Sequence, residues 1–230
     1  KQPSMAKIIT CPNCGTSYDV TITPNCPTPK SNYLWIFDNG HGGIIDGVYQ
    51  TAGKRSPVWP DGTQLFEGEL CTDAGIECVN LVDTQEDVPL SERTDKANNI
   101  YRKRADQGGK CIYVSIHANG FDKESANGWS CYTSIGETKS DKIATILYEK
   151  AETEFPDEYI RKDTYSDGDV DKEANFWVLA KTVMPAILSE NFFMTNYENC
   201  HKYLQSEEGR DRIAKIHFKM IQEVESKQIV

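Results

Sequence analysis

Two apolar runs each end on a histidine set among small residues: Trp35-Ile36-Phe37-Asp38-Asn39-Gly40-His41-Gly42-Gly43 and Tyr113-Val114-Ser115-Ile116-His117-Ala118-Asn119. Near-continuous apolar stretches of this length, rich in aromatic and β-branched residues, read as strands buried on both faces. Strands of that kind belong to parallel sheets with helices on both sides. In such sheets the site forms in the loops at the strand ends. The chain has only four histidines, and two of them fall at those ends. Imidazole is a preferred zinc ligand, so the pair calls for a third ligand and a base.

The remainder alternates in the same manner. Strands are expected over 33–38, 76–82, 111–116, 129–134 and 186–190. Ser91 has the character of an N-cap for a helix running to about residue 107. Thr138 and Asp141 have capping-box spacing ahead of Ile143, Ile146, Leu147 and Ala151. A last helix begins after Ser206 and turns Ile213, Ile216, Met220, Ile221 and Val224 to one face. This pattern predicts an α/β fold: a single, mostly parallel twisted sheet covered by helices. Residues 1–32 form a separate N-terminal arm, and 33–230 the main domain. The arm carries Cys11-Pro12-Asn13-Cys14-Gly15 and Cys26, which suit a metal knuckle, a disulfide or thiols.

Composition removes several function classes. A net charge of -10 argues against nucleic acid, whose binders present basic patches. No run approaches the ~20 apolar residues of a membrane span, and no secretory leader is visible. Cys111 and Cys131 lie in strand-like runs as small apolar groups. The acidic run Asp167-Gly168-Asp169-Val170-Asp171 departs from the twelve-residue calcium-loop pattern and reads as a solvated turn.

A hydrolytic zinc takes three protein ligands and keeps one position open, with a general base nearby. His41 and His117 are candidate ligands. Glu67 and Glu69, at the start of an expected helix, are candidates for the third. Glu190 ends the apolar strand Pro185-Ala186-Ile187-Leu188-Ser189-Glu190, an unusual place for a carboxylate. His217 lies on a helical apolar face and is expected in the core. His201 is expected at the surface. The long segments 44–66 and 155–175 would frame a groove, with Trp59, Tyr49 and Tyr165 as substrate contacts or as local packing.

Taken in order, Asp38-Asn39-Gly40-His41-Gly42-Gly43, Glu67, Ser115-Ile116-His117-Ala118-Asn119 and Glu190-Asn191-Phe192-Phe193-Met194-Thr195-Asn196 resemble the zinc-dependent N-acetylmuramoyl-L-alanine amidases of the Amidase_3 type. Pro89-Leu90-Ser91-Glu92-Arg93 with Ala97-Asn98 adds to the resemblance, which spans about residues 33–226. The resemblance implies that His41, Glu67 and His117 hold Zn2+, with Glu67 preferred over Glu69, and that Glu190 is the catalytic carboxylate. It implies hydrolysis of the amide joining N-acetylmuramic acid to L-alanine in peptidoglycan, at the cell wall, in the periplasm or outside the cell; a monomer is expected. A phage endolysin and a bacterial wall-remodelling enzyme both fit. A zinc peptidase on a non-muramyl substrate and a non-catalytic wall-binding module are the alternative readings. The chain departs from the family pattern in carrying Asn39 where proline is usual, and in the short span 68–75 after Glu67.

Overall fold

The computed structural model describes residues 8–10, 17–19, 31–41, 44–46, 48–49, 57–61, 78–82, 87–165 and 167–230. They fall into two units, 1–31 and 32–230. In the first, β1 (Ile8–Thr10) pairs antiparallel with β2 (Ser17–Asp19). Cys11, Cys14 and Cys26 lie outside the described residues.

The second unit contains β3 (Tyr33–Asn39), a small β4 (Ile44–Ile45) and β5 (Val48–Tyr49) ribbon, β6 (Cys78–Asn80), β7 (Lys110–Asn119), β8 (Ser130–Thr133), β9 (Lys172–Glu173) and β10 (Ala186–Phe193). Six of these form one sheet in the order β6-β3-β7-β10-β8-β9. Every pairing is parallel except that of β8 with β10. The expected mostly parallel α/β sheet is therefore the observed one. β7 and β10 run further than expected, so His117 lies within its strand rather than beyond it.

Pleat alternation divides the core in two. Trp35, Ile112, Val114 and Ile187 face a cluster built with α2 (Lys139–Glu154) and α5 (Glu207–Lys227). Ile36, Cys111, Tyr113, Ala186 and Leu188 face the other side, with α1 (Leu90–Ala105) and α3 (Trp177–Lys181). α2 starts on the expected capping box, in which the Thr138 side chain and Asp141 satisfy each other's end of the first turn. Ser206 caps α5 by accepting from the Gly209 N–H (2.9 Å). α1 differs from expectation. Its N-cap position is Pro89, with no side-chain cap, and Ser91 lies inside the helix. Proline already supplies the extended entry there (ψ 141°), and α1 buries Arg93, Thr94, Ala97 and Asn98 rather than an apolar stripe. Short α4 (Tyr197–Asn199) and a π-helical turn, Cys200–Gln205, lead into α5. Among the described residues, no helix is long and apolar enough to cross a membrane.

His217 is a core residue, as expected. Its Nδ1 donates to the Ile213 carbonyl (2.8 Å), so Nε2 accepts from the Ser189 hydroxyl (2.9 Å). Burial pushes its pKa down to about 4, below the unfolded value of about 6.5. Between those values the unfolded chain binds the extra proton. The stability from this group is complete above about pH 6.5 and is lost as the pH falls toward 4. Denaturant unfolding at pH 7 and pH 4.5 should show the wild type losing about 2.5 kcal/mol more than His217→Gln. Parallel losses in the two proteins would contradict this assignment.

Candidate functional site

Strand register assembles the site. In parallel strands, paired residues point to the same face. β3 pairs with β7 so that Asp38 stands opposite Ser115, and β10 pairs with β7 so that Glu190 stands opposite His117. Asp38, Tyr113, Ser115, His117 and Glu190 therefore share the face covered by α1. The β3–β7 ladder continues one step further, Gly40 N–H donating to the Ile116 carbonyl (2.9 Å), and so delivers His41 to the same corner. The His41 and His117 rings meet edge to face, with centroids 5.2 Å apart and planes at 79°.

Both ends of this corner are held in uncommon backbone conformations. His41 has φ 53° and Phe192 φ 63°, left-handed values that cost a residue with a side chain about 1–3 kcal/mol. Phe192 lies in a register shift between Glu190 and Phe193, and a bulge of this kind re-aims the adjacent side chain. Asn191, fully buried, secures the distortion. Its amide nitrogen donates to the His117 carbonyl and to Ser189 Oγ (both 3.0 Å), and its oxygen accepts from Trp129 Nε1 (2.8 Å). The neighbouring Tyr132 hydroxyl has its pKa raised by burial and by the charge of Glu190.

Behind the histidine is a chain of polar contacts. His117 Nε2 lies 3.0 Å from Ser115 Oγ, and Ser115 donates its proton to Asp38 Oδ2 (3.0 Å). The serine has one proton to give, so Nε2 must carry the hydrogen of the first contact. Nδ1 then bears the ring's lone pair, the form a metal ligand requires. Asp38 also accepts from Tyr113 OH (2.6 Å) and forms an ion pair with Arg93 (2.8 Å), both partners almost fully buried. Arg93 donates further to the Val88 carbonyl (2.8 Å) and to the Asn39 carbonyl. α1 is thereby tied to the strand that leads into His41.

The structure thus brings His41, His117 and Glu190 together. Glu67 and Glu69 lie outside the described residues. Ser115, Asp38, Arg93 and Asn191 support the corner and had no assigned role in the sequence reading. The detectable signal was polar residues at alternate positions of apolar strands: Asp38 in one, and Ser115 with His117 in the other. The loop aromatics divide. Trp59 is buried against Tyr197 and His201, with centroids 5.2 and 5.8 Å away, which is packing rather than a substrate contact. Tyr165 is 97% exposed, and the Tyr49 side chain is outside the described set. His201 is only partly exposed and contacts Asp61 (3.0 Å).

The acidic run is not a solvated turn. Asp171 is buried, and one oxygen each from Asp141, Asp169 and Asp171 lies within 4.8 Å of the others. That is an all-carboxylate cluster that could coordinate a metal. Burial, with repulsion from Asp169 and Asp141, pushes the Asp171 carboxyl up to about 8.

Comparison with known proteins places this fold. The Amidase_3 family model, described as N-acetylmuramoyl-L-alanine amidase, matches residues 36–223. An uncharacterized cell wall amidase of Bacillus anthracis is 29% identical over 195 residues, covering 82% of the chain and 35% of that protein. The chain thus spans about a third of that relative's length. Among solved structures, the N-acetylmuramoyl-L-alanine amidase AmiC2 of Nostoc punctiforme superposes with a TM-score of 0.60 at 22% identity, over 84% of this chain and 96% of that one. An N-acetylmuramoyl-L-alanine amidase from Clostridium difficile 630 does so at 0.61 and 21%, over 84% and 96%. At these identities the superpositions establish the shared fold.

Proposed function

This chain belongs to the N-acetylmuramoyl-L-alanine amidase family, whose model spans residues 36–223, and we propose that it is a zinc-dependent hydrolase of the amide between N-acetylmuramic acid and L-alanine in peptidoglycan. The observation that carries the reading is the His41–His117 ring pair, 5.2 Å between centroids, with Glu190 beside His117 on the next strand. Two imidazoles on one tetrahedral zinc, at Zn–N of about 2.0–2.1 Å, have centroids about 5 Å apart. The two imidazoles thus have the separation that the ion asks for.

His41 and His117 would hold zinc, with Glu67 as the third ligand. Zinc in such a site supplies Lewis acidity, making water acidic enough to ionise near neutrality and polarising an amide carbonyl. The chain's own groups do the remainder. Glu190 takes the proton of the attacking water and returns it to the departing L-alanine amine. Ser115, backed by Asp38, holds His117 in the tautomer and orientation its role demands. The cell wall is the place of action that this substrate implies.

Chelator-treated protein should lose peptidoglycan hydrolysis and regain it with zinc, and full activity without metal would overturn the reading. Ser115→Ala removes the hydrogen bond at His117 Nε2 and leaves every proposed ligand residue in place. Loss of such a supporting contact lowers metal affinity by about 10- to 100-fold. Competition with a chromogenic chelator measures this directly, and an unchanged zinc affinity would show that Ser115 is only a packing residue.

A further inference from the structure

The long loop after α2 runs down the β8 edge. Ile160 bridges to Trp129 at one end, and Lys172 and Glu173 pair with Tyr132 and Thr133 at the other. At that second end the loop's Asp169 and Asp171 meet Asp141, from the first turn of α2, with ligand oxygens all within 4.8 Å. A second observation marks this place as more than an acidic surface. Asp171 is 1% exposed, its Oδ2 accepts from the Thr133 hydroxyl (2.6 Å), and, as a carboxylate, its Oδ1 accepts no hydrogen bond among the described residues. A buried carboxylate oxygen left unsatisfied is costly, and two further carboxylates beside it raise that cost. A cation removes both penalties together.

The geometry points to a calcium site at this corner, formed by Asp141, Asp169 and Asp171. The donors are all carboxylate oxygens, which select a hard cation over zinc. Two oxygens on one calcium, each at about 2.3–2.6 Å, can lie up to about 5 Å apart, and the cluster is within that span. The alternation Asp167, Asp169, Asp171 places carboxylates at every second position, as calcium loops do at their start. The acid that such a loop draws from its own far end is supplied here by α2. Backbone turns already shape the run, with Asp171 N–H donating to Asp169 Oδ1 (3.1 Å). A bound ion would tie the loop to α2 and to the β8 edge. Thr133 lies one residue beyond Tyr132, the partner of Leu188, so the site is about 10 Å along the strands from Glu190. It is separate from the zinc centre, and its test does not depend on the amidase reading.

The test uses the full chain as purified. Calcium chloride is titrated by calorimetry, and thermal unfolding is followed with and without calcium. The expected result is one site with a dissociation constant of about 10⁻⁴–10⁻³ M, as in extracellular calcium modules. At calcium tenfold above that constant, the unfolding midpoint should rise by about 3–6 °C. Asp169→Ala, which removes the ligand oxygen of a half-buried member and leaves the helix cap intact, should abolish both effects while keeping the far-UV spectrum of the wild type. His117→Ala should retain both. Absence of calcium binding up to 10 mM, about ten times the weakest expected constant, overturns the proposal and leaves Asp169 and Asp171 sharing a proton. Binding that is unchanged in Asp169→Ala overturns it equally.

Discussion

Glu190→Gln is expected to slow peptidoglycan amide hydrolysis by about 10²- to 10⁴-fold, the contribution of a positioned general acid–base group. Glutamine keeps the size of the side chain but cannot take a proton from water. The position itself should survive the change. β10 remains paired with β7 on one side and β8 on the other, and Asn191 still clamps the bulge through His117 and Trp129. Zinc content and circular dichroism should match those of the wild type. A variant within about tenfold of wild-type turnover would remove Glu190 as the base. A variant lacking zinc would recast it as a ligand.

The largest effect on stability is expected at Arg93. Its side chain is 2% exposed and pairs with Asp38, which is 1% exposed. Arg93→Met leaves the Asp38 charge buried, with Tyr113 and Ser115 still bonded to it but no counter-charge in its ion pair. Breaking a buried pair in this way costs about 3–5 kcal/mol. For a unit of this size, that lowers the unfolding midpoint by about 6–20 °C. The double variant Asp38→Asn with Arg93→Met should recover most of the loss, because neither charge is then stranded. If the double variant is as unstable as the sum of the two single ones, the two residues are uncoupled and the pair does not explain the rigidity of this corner. Zinc affinity should fall in Arg93→Met as well, since Asp38 is the far end of the Ser115–His117 chain.

How much of this was legible in the sequence depended on what each element buries. β3, β7 and β10 are central strands covered on both faces, so apolar runs marked them. Their ends were less visible: β7 extends through His117 to Asn119 because its ladder with β10 continues there, despite the polar residues. α2 and α5 bury apolar stripes and start on side-chain caps, and both signals lie within a few residues. α1 buries Arg93, Thr94, Ala97 and Asn98. Beside the apolar contacts of Ala97, Ile100 and Tyr101, its hydrogen bonds are polar and distant: Arg93 to Asp38, and Asn98 to the Lys181 carbonyl and the Val183 N–H. Such long-range partners leave no local mark, and the start of α1 differs from the Ser91 cap because Pro89 already sets the extended entry. Two-residue β9 and five-residue α3 are too short to carry a period at all.

The site was legible as a list and illegible as a support structure. His41 follows the end of its strand and His117 and Glu190 lie in the C-terminal halves of theirs, where local pattern points to chemistry. The roles of Ser115, Asp38 and Arg93 follow from strand register, which no local window contains. The acidic run illustrates the same limit from the other side. Read alone it is a polar turn, because the carboxylate and the hydroxyl that complete its surroundings, Asp141 and Thr133, come from other elements.

The central claim is that this corner cuts the bond between the glycan and its peptide. Purified peptidoglycan digested with the chain, and its soluble products sequenced by mass spectrometry, tests that claim directly. The account predicts peptides that begin with a new free L-alanine amine, intact glycan strands carrying the lactyl carboxylate, and no such products with chelator present. Cleavage within the peptide stem, or between sugars, would contradict it.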